Sequence, residues 1–221
     1  MLGIREILAD SVNPGVYALD SKPYGMSYEY WTTKFWQWLA SIPADKNPIT
    51  DQTGKHCGEG QGSLPIFFLA FSNSGGAQRT CTIPTGKAIL VPVNVAFFSK
   101  AEFPDAKNDD DLHRLAEEDE SSNPFVFLSV DGKQFQDLEK FRVPSGPFDV
   151  NISADHPFGF AGPTRAVSDG YWVILEPLEP GAHTIEFGGT LTNKAGTLFY
   201  SERMKYTITV REDQTKLRKL R

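Results

Sequence analysis

Apolar positions along this chain follow two rhythms. Tyr28, Trp31, Phe35, Trp38, Leu39 and Ile42 recur at intervals of three and four and share one helical face, whereas Glu29, Thr33, Lys34 and Gln37 fall elsewhere. Ser27 supplies an N-cap and Pro43 stops the run, so the pattern predicts an amphipathic helix over 27–41. Trp36 lies roughly 120° from the centre of that stripe at 100° per residue, on the flank of Glu29 and Thr32. An off-stripe ring is expected to stay accessible.

From Pro65 onward the period changes to two, or to short unbroken apolar runs. Ile66–Phe71, Gln78–Ile83, Ala88–Phe98, Phe125–Val130, Lys133–Val143, Phe148–Ile152, Tyr171–Leu175, His183–Phe187 and Leu198–Val210 all read as strands. Asp131-Gly132 is a tight-hairpin signal, and Pro180-Gly181 and Gly188-Gly189 separate further runs. Tyr171–Leu175 is apolar on both faces and should be a covered central strand. Near the end, Met204, Tyr206, Ile208 and Val210 alternate with Arg203, Lys205, Thr207 and Thr209, which gives one core face and one wet face. The expected class is all-β: an antiparallel β-sandwich, jelly-roll-like, with one N-terminal amphipathic α-helix. Residues 24–210 are expected to form one domain. An irregular segment, 1–23, with a turn at Asn13-Pro14-Gly15, precedes it, and a charged tail, 211–221, follows.

Asp105–Ser122 interrupts the strands with dense acid and reads as a short surface helix begun by Asp109. The acidic residues of 109–120 lack the D-x-D-x-D-G spacing of a calcium loop, so a solvated face is the simpler reading. The net charge of −6 and the absence of any basic stripe before Lys216–Arg221 argue against a nucleic-acid partner. No run reaches the ~20 apolar residues of a membrane span. Met1–Asp10 carries Arg5, Glu6 and Asp10 and has no signal-peptide core, so it does not read as a secretory signal; either the leader is missing from this chain or the protein is made without one.

Cys57 and Cys81 are the only two cysteines. They are either two buried thiols or a bridge, and a bridge would close a loop contributing about 3.5 kcal/mol. It would also place the protein outside the cytosol or on a cell surface; a cytoplasmic location fits if the source is archaeal and makes the chain without a leader. No C-x2-C or H-x3-H spacing suggests structural zinc, and no phosphate-cradling or dinucleotide motif is present, so no cofactor is expected.

The stretches Tyr24-Gly25-Met26-Ser27-Tyr28, Trp31-Thr32-Thr33-Lys34-Phe35-Trp36-Gln37-Trp38, Ser41-Ile42-Pro43, Arg79-Thr80-Cys81-Thr82-Ile83-Pro84, Val130-Asp131-Gly132, Asp169-Gly170-Tyr171-Trp172 and Glu176-Pro177-Leu178-Glu179-Pro180-Gly181 stand out. Together they resemble an uncharacterised family of hypothetical proteins from ammonia-oxidising archaea and bacteria. The likeness spans residues 15–210. It implies no activity; it implies that Cys57 and Cys81 act together.

Candidate chemistry is sparse. Trp36, with Glu29 beside it, could stack a sugar ring or other flat ligand. Asp155-His156 sits in a Pro/Gly-rich loop, and His183 alternates with Ile185 and Phe187 on a strand. Asp155, His156 and His183 would form an acid–base set only if they met at one end of the sandwich. Further carboxylates are Asp169, Glu176 and Glu186, but no G-x-S-x-G nucleophile elbow exists. Asn151-Ile152-Ser153 matches the N-glycosylation triplet. The leading expectation is a binding module for a carbohydrate or other small molecule. One alternative is a hydrolase of glycosides, esters or lactones. Another is an envelope protein that self-associates into a homo-oligomer through its aromatic helix.

Overall fold

The structure, a computed structural model, describes residues 15–120, 125–192 and 198–212. The turn expected at Asn13-Pro14, the segment 1–14 and most of the charged tail lie outside the described residues. Helix α1 spans Tyr28–Ser41, and the Ser27 side chain accepts the Tyr30 N–H as its cap. The strands are β1 Ile66–Phe68, β2 Gly76–Pro84, β3 Ala88–Ser99, β4 Phe125–Val130, β5 Lys133–Gln134, β6 Phe148–Ile152, β7 Gly162–Leu175, β8 Gly181–Thr192 and β9 Leu198–Arg211. Helix α2, Asp109–Glu120, occupies the acidic insertion.

The strands build two stacked sheets, ordered β1-β3-β7-β6 and β2-β9-β8-β4-β5. Both are mixed, which corrects the expectation of antiparallel pairing throughout. β1 runs parallel to β3 and β2 runs parallel to β9; the remaining pairs are antiparallel. The reason is the route of the chain. After β1 it crosses to the other sheet for β2 and returns for β3, so β2 serves as the crossover that a parallel pair requires. The Lys133–Val143 run also differs: Asp137 takes a left-handed conformation and a 3-10 turn follows at Leu138–Phe141, leaving a two-residue strand.

The four-stranded sheet is covered on both faces. Phe68, Leu90, Trp172, Ile174, Val150 and Ile152 pack with α1, whereas Ile89, Val91, Val173 and Leu175 face the second sheet and meet Leu128, Ile185, Phe187, Met204 and Ile208. Tyr171–Leu175 is therefore the doubly buried strand expected. Each large apolar side chain taken out of water stabilises by about 1.5–3 kcal/mol, so these two interfaces hold the layers together.

Sheet edges are closed by loop chemistry. Thr80 of edge strand β2 donates its N–H to Thr53 O at 2.9 Å, and Cys57 is disulfide-bonded to Cys81 with a Cα–Cα distance of 6.0 Å. Gly54, at φ +88°, lies so close that a Cβ there would sit 2.3 Å from Thr80 O. Only glycine meets both demands. On the other sheet, Gln61 imitates a missing strand: its Oε1 accepts the Phe68 N–H at 3.0 Å and its Nε2 donates to Phe68 O at 2.8 Å.

Candidate functional site

Helix α2 starts with a reciprocal cap. Asn108 Oδ1 accepts the Asp111 N–H at 3.0 Å, and Asp111 Oδ2 accepts the Lys107 N–H at 2.8 Å. Leu112 and Ala116, one turn apart, are buried against Val167 with Phe98 and Phe103. That docking turns the next pair along, His113 and Glu117, toward a cleft of about 450 Å³ completed by Arg142, Pro144, Ser168 and Asp169.

Across the cleft from α2, Arg142 donates to Asp169 through Nε at 3.1 Å and Nη2 at 2.8 Å. The Asp169 side chain is 6% exposed and Arg142 29%, so the pair is largely desolvated and geometrically held. Asp169 Oδ1 also accepts the Gly170 N–H at 2.7 Å. The segment after Arg142 is laced to β7: Val143 donates to Gly170 O and Ser145 to Ser168 O, both at 2.8 Å, while Ser145 Oγ accepts the Ser168 N–H. Gly170, at φ +149°, lets β3 pass close by; a Cβ there would lie 2.5 Å from Asn94 O, beside the irregularity between Pro92 and Asn94. Ser168 contributes to the cleft lining, and its Oγ, buried within the protein, has no hydrogen-bond partner among the described residues. A buried hydroxyl left unpaired costs about 1–3 kcal/mol.

The anticipated site residues do not assemble. Trp36 is 1% exposed, which corrects the expectation of an accessible ring. Phe71, Phe97 and Trp172 enclose it at centroid distances of 5.8, 4.9 and 6.1 Å, because the long strands of the first sheet wrap the flank that helix periodicity left outside the stripe. Glu29 is exposed, but it accepts the Gly146 N–H at 2.6 Å and so ties α1 to a loop.

His156 is buried and serves the end of α1. Its Nδ1 accepts the Phe158 N–H at 3.2 Å, and its Nε2 lies 3.1 Å from Leu39 O and 3.0 Å from Asn47 Nδ2. Burial holds its pKa below the ordinary value, against the opposing pull of the Leu39 carbonyl and Asp155. His183 belongs to the other sheet. Nδ1 lies 2.7 Å from Asp131 Oδ2 and Nε2 lies 2.8 Å from Glu179 O, so both ring nitrogens face acceptors. Burial works against its charge, but Asp131 and the Glu179 carbonyl outweigh it and raise the pKa. Asp155 is exposed and accepts from Ser153 Oγ. Glu186 bonds Arg203 and Lys205 on the outer sheet face, and Glu176 is exposed at the end of β7.

Among the described residues no cluster of three or more His, Cys, Asp or Glu side chains is placed to hold a metal ion. The acids of α2 point to other partners: Asp109 pairs with Arg165, and Glu118 with Arg114. A larger cleft of about 670 Å³ beside the disulfide loop is lined mainly by Gly, Pro, Ser and Thr. Its charged residues are Lys87, bonded to Gly62 O at 3.1 Å, and Glu212, so it brings together less chemistry than the α2 cleft.

Arg142, Ser168 and His113 were not foreseen as site residues. The available signal was Ser168-Asp169 itself, two polar residues placed within an otherwise buried strand. No protein-family model, curated protein or solved structure matches this chain.

Proposed function

We propose that this protein is a binding module of an oxidising, extracytoplasmic compartment, and that its ligand is a small hydroxyl-rich molecule of the carbohydrate or polyol class held in the α2 cleft. One observation carries the reading. The Arg142–Asp169 pair, Ser168, His113 and Glu117 all line one cavity of a size that suits a monosaccharide. A held guanidinium–carboxylate pair presents donors and acceptors in fixed directions, which is what a ring of hydroxyls requires. Its charges nearly cancel, so a neutral polar ligand suits it better than a strong anion. The disulfide supports the compartment.

The hydrolase reading loses its proposed machinery. His156 and His183 lie on different sheets' elements, each with both ring nitrogens engaged.

Calorimetric titration of the chain with a panel of monosaccharides, disaccharides and linear polyols tests the proposal, alongside Ser168→Ala and the double variant His113→Ala/Glu117→Ala. At least one panel member should bind, and the double variant His113→Ala/Glu117→Ala should weaken it at least tenfold, the equivalent of one hydrogen bond. Ser168→Ala should leave the thermal midpoint unchanged or higher, because the hydroxyl it removes has no partner in the protein. Absence of binding across the panel, or binding indifferent to all these substitutions, would overturn it.

A further inference from the structure

We infer that Asn151 is an attachment point for an N-linked glycan. Of the eight asparagines in the chain, Asn151 alone begins an Asn-x-Ser/Thr triplet, with Ile152 in the middle and Ala154 after Ser153, so no proline blocks it. The fold places the triplet where a glycan can stand. Asn151 lies on β6, the last strand of its sheet, and alternation buries Val150 and Ile152 while Asp149 and Asn151 face outward. Its side chain is exposed, so a sugar joined to Nδ2 extends into solvent. Its cross-strand neighbour is Pro163, and the chain turns away immediately after Ile152.

The disulfide supplies the second argument. Resting on the compartment proposed above, a chain oxidised at Cys57 and Cys81 suits the export route on which asparagine-linked transfer occurs. In that step Nδ2 attacks the anomeric carbon of a lipid-linked oligosaccharide. The C1–N bond forms, the bond from C1 to the lipid phosphate breaks, the phosphate leaves with the electron pair, and Nδ2 gives up one proton. A bulky, hydrated chain on β6 would also guard an edge strand against pairing with another molecule.

Intact-mass measurement of the full chain, exported from a host with an asparagine oligosaccharyltransferase, tests this against Asn151→Gln and Ser153→Ala. The wild type should carry a glycan mass that an amide-cleaving glycosidase removes, leaving aspartate at 151, and both variants should run at the bare polypeptide mass. Circular dichroism should show all three folded alike. A wild-type chain at bare mass, or a mass increment that survives in either variant, would overturn the inference.

Discussion

Trp36 and Glu29 stand two turns apart on α1 and meet opposite fates, which shows where residue-level reading succeeds and where it stops. Helix periodicity correctly placed Tyr28, Trp31, Phe35 and Leu39 inward. It could not see that β3, read as a strand through Phe98, would lie against α1 so that Phe97 covers the flank of Trp36. Removing that ring should open a cavity in the core, and Trp36→Ala should lower unfolding free energy by about 3–5 kcal/mol in denaturant melts. The two engaged histidines offer a test with opposite signs. His183 has a raised pKa in the folded protein, so its stabilisation is fully present below pH about 6.5 and fades as pH rises through the folded value. His156 has a lowered pKa, so its contribution is present above about 6.5 and is lost as pH falls toward its folded value. The stability gap between wild type and His183→Gln should therefore shrink from pH 6.5 to 8, and that for His156→Asn should shrink from pH 6.5 to 5. Slopes of the same sign in pH-resolved melts would contradict these assignments.

At the scale of elements, alternation recovered the strands because burial on one face writes itself into every second residue. Phe125–Val130 and Phe148–Ile152 match their predicted bounds. Strand direction leaves no such trace: a parallel and an antiparallel neighbour ask for the same alternation, and so the β1–β3 and β2–β9 pairings were invisible. The bridge was readable as one of two options; the Thr53–Thr80 hydrogen bond beside it was not. Reducing it, or the double substitution Cys57→Ser/Cys81→Ser, should lower stability by about 3.5 kcal/mol through the freed loop. It should also speed hydrogen exchange at the Thr80 amide, which the Thr53 carbonyl otherwise protects. Unchanged exchange there would mean that the loop holds β2 without the disulfide. Gln61→Ala should cost about 1–3 kcal/mol by leaving the Phe68 N–H and C=O of β1 unpaired, whereas substitution of the exposed neighbour Ser63 should be near neutral.

At the scale of the molecule, one helix, two stacked sheets and a second helix at their side produce a cleft whose parts come from distant stretches of chain. His113 and Glu117 come from the acidic insertion, Arg142 from the segment before β6, and Ser168 and Asp169 from β7. Asp169 could be named from sequence as an available carboxylate, but its pairing with Arg142, 27 residues earlier, depends on the tertiary route. That is why candidate chemistry in the sequence settled on neighbours such as Asp155-His156, whereas the converging groups are remote from one another. The most direct measurement of the account's central claim is an amide NMR map of the intact, oxidised chain titrated with the tightest-binding sugar or polyol. Saturable shifts should gather at His113, Glu117, Ser145, Ser168 and Gly170, and the amides around Trp36, His156 and His183 should stay still. Shifts gathered instead along Gly58–Pro65 and Thr85–Lys87, in the larger cleft by the disulfide, would contradict it.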